Sequence, residues 1–263
     1  IKNLFLKPSG RIKKLNPYLV ILKVGLSGGI SYNIKNSYNI INYNSKLFTK
    51  IFETLVSINQ KNVFFISASC LYPKIENRSI KENDIFSGKP EETNLSYSIS
   101  MSLAYGLCKS INEKFNLSFI NIVPATIYGP YSISEVENSH VLTAMINKFY
   151  KKSKKIFLYG DGKPRREFLY VDDLFDAIVF IRKKKIKKLI INIGTGVDYT
   201  IKDLSKKLKK IFNFNGKIYW DKSKPSGVKK KLLNIDYIKE KGWKAKFGLK
   251  DGINKLIKLE NLK

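Results

Sequence analysis

A chain of 263 residues can bury one large or two small cores, and 43% hydrophobic with 13% aromatic content excludes a disordered chain. Two cysteines, Cys70 and Cys108, exclude a disulfide-stapled scaffold, and no apolar run reaches the roughly 18 residues that a membrane-spanning helix needs. The net charge of +28 favours polyanionic partners, but it comes from 44 lysines and only five arginines amid abundant isoleucine and asparagine. That mix reads as the imprint of an AT-rich genome. Nucleic-acid readers lean on arginine forks interleaved with aromatics, so a nucleotide diphosphate is the expected polyanion and nucleic acid is not. Scarce cysteine and the lack of a secretory apolar segment lead to a reducing, cytoplasmic setting as the expectation. Because the chain opens on Ile1, a fragment or trimmed product is expected.

Short β-rich runs alternate with amphipathic stretches, the pattern of an α/β fold with a parallel sheet. Tyr18 to Lys23 is the first strand expected. The glycine cluster Gly25 to Gly29 follows it, but the residues after that cluster are poorly patterned as a helix. Leu47, Ile51, Leu55 and Ile58 form a helical stripe within Asn44 to Ile58. Val63 to Ser67 reads as a buried strand, Tyr97 to Phe115 as a helix with Cys108 in its core stripe, and Phe119 to Val123 as a strand ended by Pro124. Further strands are expected at Ile156 to Tyr159, Leu189 to Ile193 and Ile218 to Trp220. Asp172 to Ile181 and Asp251 to Leu259 are expected helices, and Thr200 with Asp203 has the spacing of an N-cap pair before a stripe reaching Phe212. The lysine runs Lys151 to Lys155 and Arg182 to Lys188 read as solvated ends and loops. No strand, G-x-G-x-x-G turn and helix for a dinucleotide pyrophosphate occurs in the sequence, and no metal site is expected.

Four islands carry the chemistry. Ser67-Ala68-Ser69-Cys70-Leu71-Tyr72-Pro73 follows a buried strand, at the sheet edge where open α/β folds place ligands. Tyr97 opens a helix, with Met101 one turn on along the same face. Pro124-Ala125-Thr126-Ile127-Tyr128-Gly129-Pro130 follows another strand, and Pro164 to Asp173 reads PRREFLYVDD, with Asn138-Ser139-His140 upstream. Taken singly, Cys70 reads as a small buried hydrophobe, His140 as a surface or satisfied core histidine, and Tyr97 as an aromatic packed on the sheet.

In this order and spacing, SCLYPK, NSHVL, IYGP, PRREFLYVDD, NIGTGVDYTI and KPSG followed by KKLL resemble the GDP-L-fucose synthase family of extended short-chain dehydrogenase/reductases, from about Tyr18 to the C-terminus. The resemblance implies an N-terminally truncated Rossmann-type doubly wound parallel sheet with a smaller α/β C-terminal substrate domain. The dinucleotide domain is expected over residues 1–132 plus about 166–198, and the substrate domain over about 133–165 plus 199–263. The implied reaction is 3,5-epimerisation and NADPH-dependent 4-reduction of GDP-4-keto-6-deoxy-D-mannose by a homodimer joined through the helices near Asn44 to Ile58 and Tyr97 to Phe115. Cys70 and His140, with thiol and imidazole pKa values near 8.5 and 6.5, suit the epimerisation. Tyr97 is the implied acid of the reduction. The implied cofactor contacts are Ser67, Ala68, Ser69, Tyr97, Pro124, Ala125, Thr126, Ile127 and His140. The implied substrate contacts are Arg166, Lys148 in place of an arginine, Tyr159 in place of a tryptophan and Asn234 in place of an aspartate.

The family pattern has a serine where Ala68 stands and a lysine where Met101 stands. Methionine brings no charge to pull a phenol pKa down from about 10, and alanine no hydroxyl to hold a ketone, so reduction is expected to be slowed within the roughly 10²- to 10⁴-fold that such positioning supplies. Two functions are therefore open on the sequence: an NADP-dependent epimerase/reductase, or a catalytically impaired relative that keeps a nucleotide-sugar pocket.

Overall fold

Four runs rich in β-branched and aromatic residues form the central sheet of the computed structural model, which describes Leu15 and residues 17–130, 141–151, 154–223 and 227–262. They are β1 (Val20–Leu22), β2 (Asn62–Ile66), β3 (Ser118–Pro124) and β7 (Ile190–Ile193), parallel throughout and ordered β1-β2-β3-β7. In chain order the other elements are α1 (Ile30–Lys35), α2 (Ser37–Ser57), α3 (Leu95–Phe115), β4 (Thr126–Tyr128), α4 (Val141–Tyr150), β5 (Lys155–Tyr159), β6 (Arg165–Tyr170), α5 (Val171–Lys183), β8 (Asp198–Thr200), α6 (Ile201–Ile211), β9 (Lys217–Asp221), β10 (Lys230–Lys231), α7 (Asp236–Glu240) and α8 (Leu249–Leu259). None of the helices is long and apolar enough to cross a membrane, among the described residues.

Parallel strands need apolar cover on both faces, and here the aromatics provide much of it. Phe48 and Phe52 of α2 meet Phe65 of β2 at ring separations of 5.2 and 5.8 Å, and Phe52 also meets Phe119 of β3. Leu174, Ala177, Ile178 and Ile181 bury one stripe of α5 in the same core, and Leu233, Ile238 and Trp243 return to it near the end of the chain. A second core gathers Phe149 of α4, Phe212, Phe214 and the buried faces of α6, α8 and β5. Two small sheets frame it. β6 pairs with β4, β8 and β10, and β5 pairs in parallel with β9.

The main strands and helices fall where periodicity puts them, and the Thr200 hydroxyl accepts the Asp203 N–H at 2.9 Å as the expected N-cap of α6. The stretch after Gly29 is a correction. It is helical, as α1 and then α2 from Ser37, despite its poor apolar pattern. Its buried polar residues are held by hydrogen bonds: Asn44, fully buried, accepts from the Leu26 N–H at 2.6 Å and donates to the Leu26 carbonyl at 3.0 Å. PRREFLYVDD also does structural work that its motif character hid. It forms β6 and the start of α5, and the buried Glu167 carboxylate accepts the N–H groups of Thr195, Gly196 and Leu233 at 2.7, 2.7 and 3.0 Å. One side chain thereby pins the NIGTG turn and the segment after β10 to β6. Asp173 likewise caps the Lys246 and Phe247 N–H groups at 2.8 and 3.1 Å.

Candidate active site

The carboxyl ends of β1, β2 and β3 open onto one side of the sheet, the edge where their following loops must turn. After β2, Ser67 is buried with its hydroxyl unpartnered, while Ala68 and Ser69 stay half-buried. Ser69–Leu71 then winds one 3₁₀ turn, and its Cys70 carbonyl accepts the Ser98 hydroxyl of α3 at 2.7 Å. That bond fixes the cysteine turn to the helix that carries Tyr97.

Cys70 and Tyr97 are buried and electrostatically coupled. Burial pushes the Cys70 thiol up to about 11; Lys231 pulls it down most strongly among the charges, Glu91 raises it and Lys23 lowers it. Burial raises the Tyr97 phenol, and a thiolate at Cys70 would raise it further. Met101, one turn on, has no exposed surface at all. No positive charge reaches the phenol from that position. Lys23, exposed by surface area and directly after β1, has its amine lowered by loss of hydration, a shift that Cys70 opposes.

The second wall comes from β6 and β10, in register with Lys231 beside Arg166. Lys231, Lys230, Glu91 and Val228 line a small cavity with Cys70. Arg166 donates to the carbonyls of Arg165 and Val228 at 2.8 and 2.7 Å, and burial lowers its pKa against the charges of Glu91 and Glu76. Cys70 and Lys231 thus share one small cavity, with Arg166 next to Lys231 across β6 and β10 and the buried Tyr97 coupled to Cys70.

The remaining sequence candidates are distributed. Pro124 and Ala125 are buried at the end of β3, and Thr126 and Ile127 begin β4 half-buried. Lys148 donates to the Phe157 carbonyl at 2.6 Å and lies 5.2 Å from the Tyr159 ring, so this pair forms a group of its own beside the exposed Phe157–Tyr219 stack. Asn234 donates to Asp236 at 2.6 Å, and its carbonyl accepts the Asn192 amide. His140 lies outside the described residues. Lys23, Glu91 and Lys231 carry no assigned role in the sequence reading; only the KKLL motif, which contains Lys231, hinted at one.

Residues 10–194 match the model of the NAD dependent epimerase/dehydratase family. The chain belongs to that family. The probable GDP-L-fucose synthase 1 of Oryza sativa subsp. japonica is 34% identical over 242 residues, which cover 90% of this chain and 74% of the rice protein. Among solved structures, a GDP-6-OMe-4-keto-L-xylo-heptose reductase from C. jejuni superposes with a TM-score of 0.90 at 25% identity, covering 98% of this chain and 86% of that one. MlghC, a GDP-mannoheptose C4 reductase from Campylobacter jejuni with NADP bound, gives 0.84 at 27% identity, covering 98% and 86%. The epimerase family and the GDP-L-fucose synthase resemblance read from the motifs both stand. So does the Rossmann-type α/β fold.

Proposed function

We propose that this chain acts on a GDP-linked 4-keto-6-deoxy sugar as an epimerase/reductase of the GDP-L-fucose synthase type. The observation that carries the reading is a buried thiol, Cys70, sharing a cavity with the cation Lys231, with the phenol of Tyr97 coupled to that thiol and Arg166 beside Lys231 in register. The cations suit a diphosphate, Arg166 by its fork and Lys231 as a point charge. Hydrogens on carbons flanking a ketone are acidified by it, and epimerisation needs one group to take such a proton and another to return it on the opposite face. Burial holds the Cys70 thiol well above its ordinary value, so it is protonated at pH 7 and its role is the donor. His140 is the proposed base. Tyr97 then protonates the C4 oxygen as that carbon is reduced.

NADP, in its reduced form, would supply the hydride for that reduction. The residues present suit the nicotinamide end of a dinucleotide: Ala68 and Ser69 follow β2 half-buried, and Thr126 and Ile127, also half-buried, follow the neighbouring strand β3. The pyrophosphate end finds no glycine turn in this sequence, and no step is assigned there.

A second reading is favoured by Ala68 and by the complete burial of Met101, which leaves the phenol without an amine from its own helix. In it the protein binds the nucleotide sugar and epimerises it but reduces it poorly. Following NADPH absorbance with the keto-sugar separates the two. The epimerase/reductase reading expects NADPH consumption that Tyr97→Phe abolishes; a folded wild-type protein that binds the sugar and consumes none contradicts it.

A further inference from the structure

A carboxylate near several cations closes onto one of them unless it is held back, and Glu91 is held. It stands half-buried just ahead of the turn Glu92–Asn94 that leads into α3. The Thr93 hydroxyl donates to its Oε1 at 2.7 Å, and its backbone carbonyl accepts the Asn94 N–H at 3.0 Å. Asn94 in turn accepts the Asn33 amide of α1 at 2.6 Å. Arg166 is fixed separately, by its bonds to the Arg165 and Val228 carbonyls. Gly227, with φ at +69°, lies beside both groups: a Cβ there would sit 3.1 Å from Arg166 Nη2 and 3.9 Å from Glu91 Oε1. Among the described residues, no ion pair engages Glu91, Arg166, Lys230 or Lys231. An acceptor and three cations thus face one region without neutralising each other.

Glu91, Lys230 and Lys231 line the cavity at Cys70, whose volume of about 10 Å³ takes one oxygen of water size. A phosphate does not fit there; a single hydroxyl does. We infer that Glu91 is a specificity-determining residue whose carboxylate accepts a hydroxyl of the nucleotide sugar's hexose. The assignment rests on the GDP-sugar reading, which puts the diphosphate outside the cavity, on Arg166 and the near side of Lys231, and gives Cys70 a carbon beside the ketone. C1 carries the diphosphate and C3 flanks the ketone. C2 lies between them, so the hydroxyl that meets Glu91 is the one on C2. An ionised carboxylate only accepts hydrogen bonds, and its charge repels a phosphate oxygen from the same spot.

The test is calorimetric titration of the full chain with GDP, GDP-mannose and the 2-deoxy analogue of GDP-mannose. Wild-type protein is expected to prefer GDP-mannose to the 2-deoxy analogue roughly ten- to hundredfold, the range of a hydrogen bond to a charged group. Glu91→Ala should bring that ratio close to one while holding GDP as tightly as wild type or more so. Glu91→Gln, whose amide oxygen still accepts, and Thr93→Val, which frees the carboxylate, should fall between. A wild-type protein indifferent to the 2-hydroxyl, a ratio unchanged in Glu91→Ala, or a Glu91→Ala protein that loses GDP as well overturns the assignment. A Glu91-dependent preference in protein that consumes no NADPH with the keto-sugar removes the reductase reading and leaves Glu91 in place. NADPH consumption without that preference does the reverse, and folded protein that binds none of the three ligands removes both.

Discussion

Replacing Met101 by lysine tests whether the missing amine can be put back where the family pattern has it. Met101 is fully buried in the first core, one helical turn from Tyr97. The substitution removes about 2 kcal/mol of apolar burial. It also forces the ammonium to lose its water or to displace packed neighbours, which costs a further few kcal/mol. A net loss of about 4 kcal/mol corresponds to a fall in melting temperature of roughly 8–16 °C for a chain of this size. Differential scanning calorimetry, with circular dichroism at low temperature to establish folding, reads it directly. Ala68→Ser, at a half-buried position, should stay within about 1 kcal/mol of wild type and serves as the comparison. A Met101→Lys protein as stable as wild type would refute the packing account, because the ammonium would then have a ready route to the Cys70–Tyr97 cleft.

Glu167→Gln presents an amide NH₂ to one or more of the three backbone N–H groups its carboxylate accepts, and should cost about 1–3 kcal/mol in thermal or urea unfolding; no measurable change would mean the turn and β10 are held by other bonds. Hydrogen bonds from Arg78 to Asp84 and from Lys246 and Trp243 to Asp176 hold both carboxyls below the usual range. Their ionised forms therefore favour the fold: the stabilisation is complete above the unfolded aspartate pKa of about 3.9 and is lost as pH falls through the folded values. Melting temperature against pH should accordingly drop less steeply below about pH 4 in Asp84→Asn and Asp176→Asn than in wild type, and parallel curves would contradict the pairing.

The large elements were legible because their side chains repeat with the period of the structure they form: Leu47, Ile51 and Leu55 mark α2, and the apolar run Val63 to Ile66 marks β2. The start of that helical region was not, since Asn33 and Asn44 are buried by hydrogen bonding and leave no apolar stripe to read. Short strands such as β8 and β10 escape periodicity for a different reason. They are held through β6 and the Glu167 carboxylate, contacts between residues far apart in the chain. The site divides the same way. Cys70, Tyr97 and Arg166 were found through motif spacing, whereas Lys231, though inside the KKLL motif, gains a place beside Arg166 only when β10 pairs with β6, two segments far apart in the chain.

The most direct test of the proton-transfer assignment is exchange in heavy water without any reductant. GDP-4-keto-6-deoxy-D-mannose is incubated with the protein and deuterium is followed at C3 and C5 by NMR. Wild-type protein should introduce deuterium at those carbons and invert them, and Cys70→Ala, which keeps the base but lacks the donor, should lose the inverted product while still binding GDP. Inversion that persists unaltered in Cys70→Ala, or no exchange in folded wild-type protein that holds the sugar, would contradict the role given to Cys70.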